Sequence, residues 1–200
     1  MKSTSKIAIL LIIICIFASN VMFCAKACAK DKTQREKELF LIEEESKFEI
    51  HEGGVNVKVK DFKYEGNQEF SISFVWTVID PIENDYTVFL HFFNKEYGDT
   101  DNMYTVFQYD HQPSEPTLYW KPKKPVVDGP YYVTITNKCG AGIYYIAIGL
   151  YNETERYNDI SGPNDGYFRT ILGKLILKGE PGKITNIKFQ PLENQSHKKN

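Results

Sequence analysis

Two neighbouring segments decide the fold: VNVKVKDFKY at residues 55–64 and EFSISFVWTVID at residues 69–80. In both, apolar and polar side chains take alternate positions. Strict alternation over this length is typical of an antiparallel strand with one buried and one solvated face. The two segments therefore each predict a half-buried antiparallel strand. Trp76 stands among the apolar positions of the second segment and is predicted to lie in the core.

The same enrichment in β-branched and aromatic residues continues along the chain. Further predicted strands are YTVFLHFFN, MYTVFQYD, YYVTIT, IYYIAIGLY, TILGKLILK and KITNIKF, and predicted turns include HQPSEP, DGP, NKCGAG, NDISGPNDG and GEPG. About eight short strands without a long helical period exclude a parallel α/β fold. The sequence predicts an all-β chain with a single antiparallel β-sandwich, immunoglobulin-like or jelly-roll-like, over residues 48–190.

The N-terminus predicts the compartment. Lys2 and Lys6 precede the apolar run IAILLIIICIFA, and the small-residue pattern CAKACA follows it. This is the layout of a secretory signal peptide, so residues 1–29 are interpreted as a cleaved leader. The mature protein is expected to be secreted or periplasmic, without a membrane span. A retained anchor is the alternative, and a lipoprotein with lipid on Cys24 or Cys28 is less favoured.

Charge and cysteine content exclude some classes of function. The leader holds three lysines and no acid, so from a formal net charge of −2 the remaining chain carries about −5. Without a basic stripe, nucleic-acid binding is disfavoured. Residues 30–47 are rich in charge and predict a linker, and the polar residues 191–200 predict a disordered tail. Cys139 is left without a disulfide partner, and we expect a buried or idle thiol.

The stretch QYDHQPSEPTLYW at residues 108–120 raises the question of catalysis. A histidine oriented by a carboxylate can act as a general base, but Asp110 and His111 are adjacent on an extended segment and point in opposite directions. His91 is the alternative partner, because a hydrogen bond between His91 and Asp110 would fasten the loop onto the sheet. A zinc site of His91, Asp110 and His111 is a minor alternative.

Aromatic residues near strand ends are the main functional clue. Tyrosine and tryptophan offer a flat apolar face and a polar tip, which suits sugar rings and protein partners alike. The candidate ligand-binding residues are Tyr109, His111, Tyr119 and Trp120. For Trp120, the alternative is that its ring folds back to cap one end of the core.

Other chemistries have little support, and no catalytic residue, cofactor or metal is predicted. The chain lacks a G-x-S-x-G nucleophile elbow, and GAG at residues 140–142 lacks the Lys-Ser/Thr of a phosphate loop. The loops YGDTDN and NDISGPNDG carry oxygen ligands that suit calcium. Solvated turns of the same composition are the favoured interpretation.

The His91 strand, the Asp-His-x-Pro and Pro-Thr-x-x-Trp patterns of residues 110–120, and the strand GIYYIAIGLY at residues 142–151 form one combination. In these features the chain resembles a bacterial exported β-sandwich module of immunoglobulin-like or carbohydrate-binding-module-like type. The resemblance covers most of residues 48–178 and implies a sandwich. It implies little about activity, because this architecture hosts many functions. KPKKP after Trp120 departs from the usual Pro-Gly.

The sequence therefore favours a non-catalytic exported binding module that recognises glycans or a cell-surface protein through loop aromatics. A structural or assembly component of the cell envelope is the alternative. A hydrolase that uses His111 is less favoured.

Overall fold

The computed structural model describes residues 48–94 and 105–192. The predicted signal peptide, the linker and the tail from residue 193 onward lie outside the described residues. The strands are β1 (Glu49–His51), β2 (Val55–Gly66), β3 (Glu69–Val78), β4 (Thr87–Phe93), β5 (Thr105–Gln108), β6 (Val126–Thr134), β7 (Gly142–Tyr151), β8 (Gly162–Asn164), β9 (Thr170–Glu180) and β10 (Lys183–Pro191).

The strands form two sheets that pack against each other. The large sheet has the order β1-β8-β9-β7-β4-β5, with β10 also paired with β9, and the small sheet has the order β2-β3-β6. Every strand pair is antiparallel. The predicted all-β antiparallel sandwich is confirmed.

The core lies between the inner faces of the two sheets. The alternation of β3 continues as predicted, and Trp76 is fully buried. The strand β4 is apolar on both faces, as its sequence indicates: Val88 and Leu90 point into the core, whereas Phe93 joins a smaller cluster on the outer face of the large sheet. Burial of these side chains is the main favourable contribution to folding.

Two tight hairpins set the register of the strands. Between β2 and β3, Asn67 and Gln68 both have positive φ angles, 48° and 64°. Two successive residues with positive φ make the turn whose twist matches the flanking strands. Between β9 and β10, Gly182 takes a φ of 73° after Pro181, which fits the predicted GEPG turn.

Two predicted turns are wrong in part. DGP at residues 128–130 lies inside β6, and part of NDISGPNDG forms the short β8, which pairs with β1. Proline is tolerated in β6 because this strand is an edge of the small sheet. A shift of register between Ile72 and Phe74 of β3 absorbs the irregular residues of β6.

The connection between β5 and β6 crosses from the large sheet to the small one. It holds the stretch of residues 108–120 and contains a 3-10 turn at Thr117–Tyr119. Its start is tied to β4, because the amide of His111 donates to the carbonyl of Val88 and the amide of Val88 donates in return, each at 2.9 Å. Within residues 48–94 and 105–192, no helix has the length and hydrophobicity that crossing a bilayer requires.

Candidate functional site

Asp128 is the centre of a buried hydrogen-bond cluster. Its carboxylate accepts from the amide of Ser114 at 2.8 Å, from the hydroxyl of Ser114 at 3.1 Å and from the hydroxyl of Tyr131. It also lies 3.2 Å from Nε2 of His111 and accepts from Nε1 of Trp76 at 3.4 Å. The carboxylate is fully buried. A buried charge is tolerated when several donors satisfy it, as they do here.

The charge of Asp128 is favoured despite its burial. Desolvation on its own would raise the pKa of Asp128, but the hydrogen bonds from His111, Tyr131 and the Ser114 amide outweigh it and hold this pKa below the ordinary value. Burial and the neighbouring Asp128 raise the pKa of Tyr131. The cluster therefore holds an ionised carboxylate beside a protonated phenol at neutral pH.

His111 uses one ring nitrogen to fasten the connection to the small sheet. An ionised carboxylate is only an acceptor, so Nε2 of His111 donates to Asp128. The imidazole packs between aromatic rings, with ring centroids 3.8 Å from Tyr131 and 5.6 Å from Tyr109. Its Nδ1 is buried and has no hydrogen-bond partner among the described residues. The connection is thus fastened by His111 and Asp128, a different pair from the expected His91 and Asp110.

The predicted hydrogen bond between His91 and Asp110 is wrong. Nδ1 of His91 lies 3.2 Å from the guanidinium of Arg169, which binds Asp165 at 2.6 Å. Burial, together with Arg169 and Arg156, lowers the pKa of His91 to about 4.

Asp110 makes a different set of contacts. Burial raises its pKa, and the Leu90 amide and the Tyr151 hydroxyl oppose this shift through hydrogen bonds. His91 faces the outer side of the large sheet with Phe89, whereas His111 stacks on the inner Phe74. The two histidines and Asp110 are not brought together, so the minor zinc alternative has no geometric basis.

The 3-10 turn is anchored from both sides. The amide of Thr117 donates to Asp85 at 3.0 Å, and its hydroxyl accepts from the amide of Tyr86 at 2.9 Å. Nε1 of Trp120 donates to the carbonyl of Glu115 at 2.7 Å, and its ring packs on Trp76 with centroids 5.3 Å apart. The buried Thr117 and Trp120 thus fix both ends of the turn.

Trp120 is a core residue, and its predicted role as an exposed stacking surface does not match this placement. Only 2% of Trp120 is exposed, because its ring completes the end of the core beside Trp76. Its neighbour Tyr119 is 64% exposed, and Leu118 is 48% exposed. Tyr109 is partly buried against the core beside Tyr131. The four sequence-predicted residues therefore occupy three different environments.

The geometry of the cluster differs from that of a nucleophile site. A serine nucleophile needs its hydroxyl at the free nitrogen of a histidine. The hydroxyl of Ser114 instead donates to Asp128 and accepts from the amide of Gly129 at 3.2 Å. Cys139 is fully buried beside Thr136, and burial raises the pKa of its thiol. Its surroundings favour the inert thiol.

In the described part of the oxygen-rich loops, the aspartate side chains bind other groups of the protein. Asp159 accepts from the amide of Gly54 at 2.8 Å, and Asp165 is paired with Arg169. Among the described residues, no group of three or more histidine, cysteine, aspartate or glutamate side chains could hold a metal ion. The loop YGDTDN lies outside the described residues.

Sequence reasoning missed Asp128, Tyr131 and Arg169. Asp128 lies in DGP, a typical turn tripeptide that predicts a solvated turn rather than a buried carboxylate. One signal was available: the proline-rich connection ends in a segment where Asp128 precedes Tyr131 by three residues. In the sequence, Arg169 is a single cation near the end of a polar loop, and its neighbours along the chain do not indicate a contact with His91.

No family model, curated protein or solved structure matches the chain.

Proposed function

We propose that the chain is a non-catalytic exported binding module, a β-sandwich of the bacterial type it resembles, and that Leu118 and Tyr119 contact a glycan or a cell-surface protein. One observation carries the proposal. The exposed Tyr119 stands between a turn residue that is fully buried, Thr117, and a core tryptophan, Trp120. The turn therefore holds the tyrosine ring in solvent on a fixed support.

A supported aromatic residue is well suited to binding. Tyrosine loses little conformational entropy on binding, and its ring face packs on sugar rings or apolar side chains while its hydroxyl bonds to polar groups. Because the ends of the turn are already fixed, the entropic cost of ordering it is small. Leu118 adds an adjacent apolar surface.

The Asp128 cluster supports a structural role for His111. This histidine donates to a carboxylate that three other side chains also contact, and aromatic rings enclose it. In this arrangement the cluster stiffens the connection that carries the turn. Tyr109 packs beside it and supports the cluster rather than the contact surface.

A binding comparison with paired variants tests the proposal. The purified mature protein is applied to a glycan array and to intact cells of the producing strain, together with Tyr119→Ala and Tyr132→Ala. Tyr132 is 56% exposed on β6 and serves as the matched control, because it is an exposed tyrosine away from the turn. We expect Tyr119→Ala to lose about tenfold in affinity and Tyr132→Ala to bind like the wild type.

The other outcomes identify the alternatives. Equal binding by all three proteins would remove the turn from the contact surface. Absence of binding to glycans and to cells would favour the structural or assembly component. Turnover of an ester, peptide or glycoside that His111→Ala abolishes would replace the proposal with a hydrolase.

A further inference from the structure

Within the described part of the chain, the edge of β2 that faces away from β3 pairs with a neighbouring segment at one position only, between Val55 and Ile160. The amide of Val55 donates to the carbonyl of Asp159 at 3.0 Å, and the amide of Ser161 donates to the carbonyl of Val55 at 2.7 Å. These bonds form a parallel bridge between Val55 and Ile160. The amide and carbonyl of Val55 thus point away from β3, toward a strand position that the chain occupies only briefly.

The next positions of this edge are open. In a strand, backbone groups that point to one edge recur at every second residue, so those of Val57 and Val59 point the same way as those of Val55. Among the described residues, no segment pairs with this edge beyond the bridge to Ile160. The neighbouring chain turns away at Gly162, whose φ is 127°, and joins β1 instead.

A groove of about 500 Å³ lies at this open position, between the edge of β2 and the strands β8, β9 and β10. Farther along β2 the sheets come together again, where the Phe62 and Phe189 rings are 5.8 Å apart and Tyr64 donates to the carbonyl of Ile184. The groove is therefore short and closed at both ends.

The walls of the groove combine apolar side chains with three neutral polar ones and one charge. The apolar part includes Val57, Val59, Leu172 and Phe189, and Lys58 is the charged residue in the lining. Unpaired backbone groups, an apolar floor and a lysine at the rim suit an extended peptide with apolar and acidic side chains. A small apolar molecule would leave the backbone groups of Val57 and Val59 without partners.

We infer that this groove binds an extended segment of a partner protein, which adds to the small sheet as a short strand. Its backbone pairs with Val57 and Val59, its apolar side chains enter the groove, and an aspartate or glutamate contacts Lys58. The opening along residues 56–59 accommodates about four residues of such a strand. This site is separate from the Tyr119 turn and does not depend on the function proposed for it.

The test is a titration of the ¹⁵N-labelled mature protein with a short acetylated peptide of sequence EVTVE, followed by amide chemical shifts. Two further peptides carry N-methyl groups, one on the two valines and the other on the threonine and the C-terminal glutamate. Each modification blocks hydrogen bonding along one edge of the peptide strand. We expect the unmodified peptide to shift the amides of Val57, Val59 and Gly162 and to slow their hydrogen exchange.

The expected pattern is specific to strand addition. One N-methylated peptide loses binding and the other retains it, because only one edge of the peptide faces β2. Lys58→Glu weakens the unmodified peptide about fivefold, whereas Lys121→Glu, the same change outside the groove, leaves its affinity unchanged. Tyr119→Ala also leaves it unchanged.

Three results would overturn the inference. The first is the absence of shifts at Val57 and Val59 up to about 1 mM peptide. The second is equal binding, or equal loss of binding, by the two N-methylated peptides. The third is an unchanged affinity in Lys58→Glu.

Discussion

The inner and outer sides of the β5–β6 connection both carry aromatic residues, which are buried on the inner side and exposed on the outer side. On the inner side, His111 and Trp120 lie in the core region, where Nε2 of His111 is hydrogen-bonded to Asp128 and Nε1 of Trp120 to the Glu115 carbonyl. On the outer side, Tyr119 extends into solvent, although it is the direct neighbour of Trp120. Aromatic residues at adjacent positions of this connection therefore divide between the core and the solvent, and only the solvent side belongs to the contact surface that we propose.

Trp120→Ala should give the largest effect on stability. The variant removes a ring that packs on Trp76 at the end of the core and leaves a cavity there. We expect a loss of about 3–5 kcal/mol in the free energy of unfolding, measured by urea denaturation. A loss within the surface range of about 0.5 kcal/mol would mean that the inner side of the connection is not part of the core.

Asp128→Asn should have the next largest effect. The amide keeps the shape of the carboxylate, but it loses the charge that accepts hydrogen bonds from His111, Ser114 and Tyr131. We expect a loss of about 2–3 kcal/mol in the free energy of unfolding. Asp61→Asn is the matched control, because Asp61 has a well exposed side chain on β2. Equal effects of the two variants would contradict the anchoring role of Asp128.

The half-buried His91 can be tested by pH. His111 lies beside the carboxylate of Asp128, whereas His91 lies near the two arginines Arg169 and Arg156. Burial, Arg169 and Arg156 lower the pKa of His91 from 6.5 to about 4, against an opposing effect of Asp165. Between pH 6.5 and about 4, His91 is therefore protonated in the unfolded chain but neutral in the folded one. The stability contributed by neutral His91 is complete above pH 6.5 and is lost as the pH falls toward 4.

The variant His91→Gln isolates this contribution. Free energies of unfolding are measured at about pH 7 and about pH 4.5 for the wild type and the variant. We expect the wild type to lose more stability on acidification than the variant does. The same loss in both proteins would show that His91 is not held neutral by burial and its arginine neighbours.

Tyr119→Ala should give the smallest effect on stability. The ring of Tyr119 is mostly in solvent, and the turn that carries it is held by Thr117 and Trp120. We expect a change within about 0.5 kcal/mol in the free energy of unfolding. A larger loss would mean that the tyrosine supports the fold, which would weaken its assignment to a contact surface.

The local part of the fold could be predicted from the sequence. Side chains alternate across a strand, so the inward positions of β3, including Phe70 and Trp76, follow from the order of residues alone. The predicted turn at DGP is wrong because a composition that favours turns is also tolerated in an irregular edge strand such as β6.

The side-chain partners could not be predicted in this way. His111 meets Asp128 across 17 positions of the chain, and His91 meets Arg169 across 78. Such pairs depend on how strands are ordered and registered, which alternation does not specify. The burial of Trp120 beside the exposed Tyr119 likewise follows from the path of the turn at Thr117–Tyr119 rather than from residue type.

The proposed contact role of Tyr119 is tested by the affinity of the protein for the proposed glycan or cell-surface partner, compared between Tyr119→Ala and Tyr132→Ala. Both variants remove an exposed tyrosine, so differences in folding or charge do not separate them. We predict that Tyr119→Ala loses about tenfold in affinity with its stability intact, and that Tyr132→Ala binds like the wild type. Equal affinity of the two variants, or a loss confined to Tyr132→Ala, would contradict it.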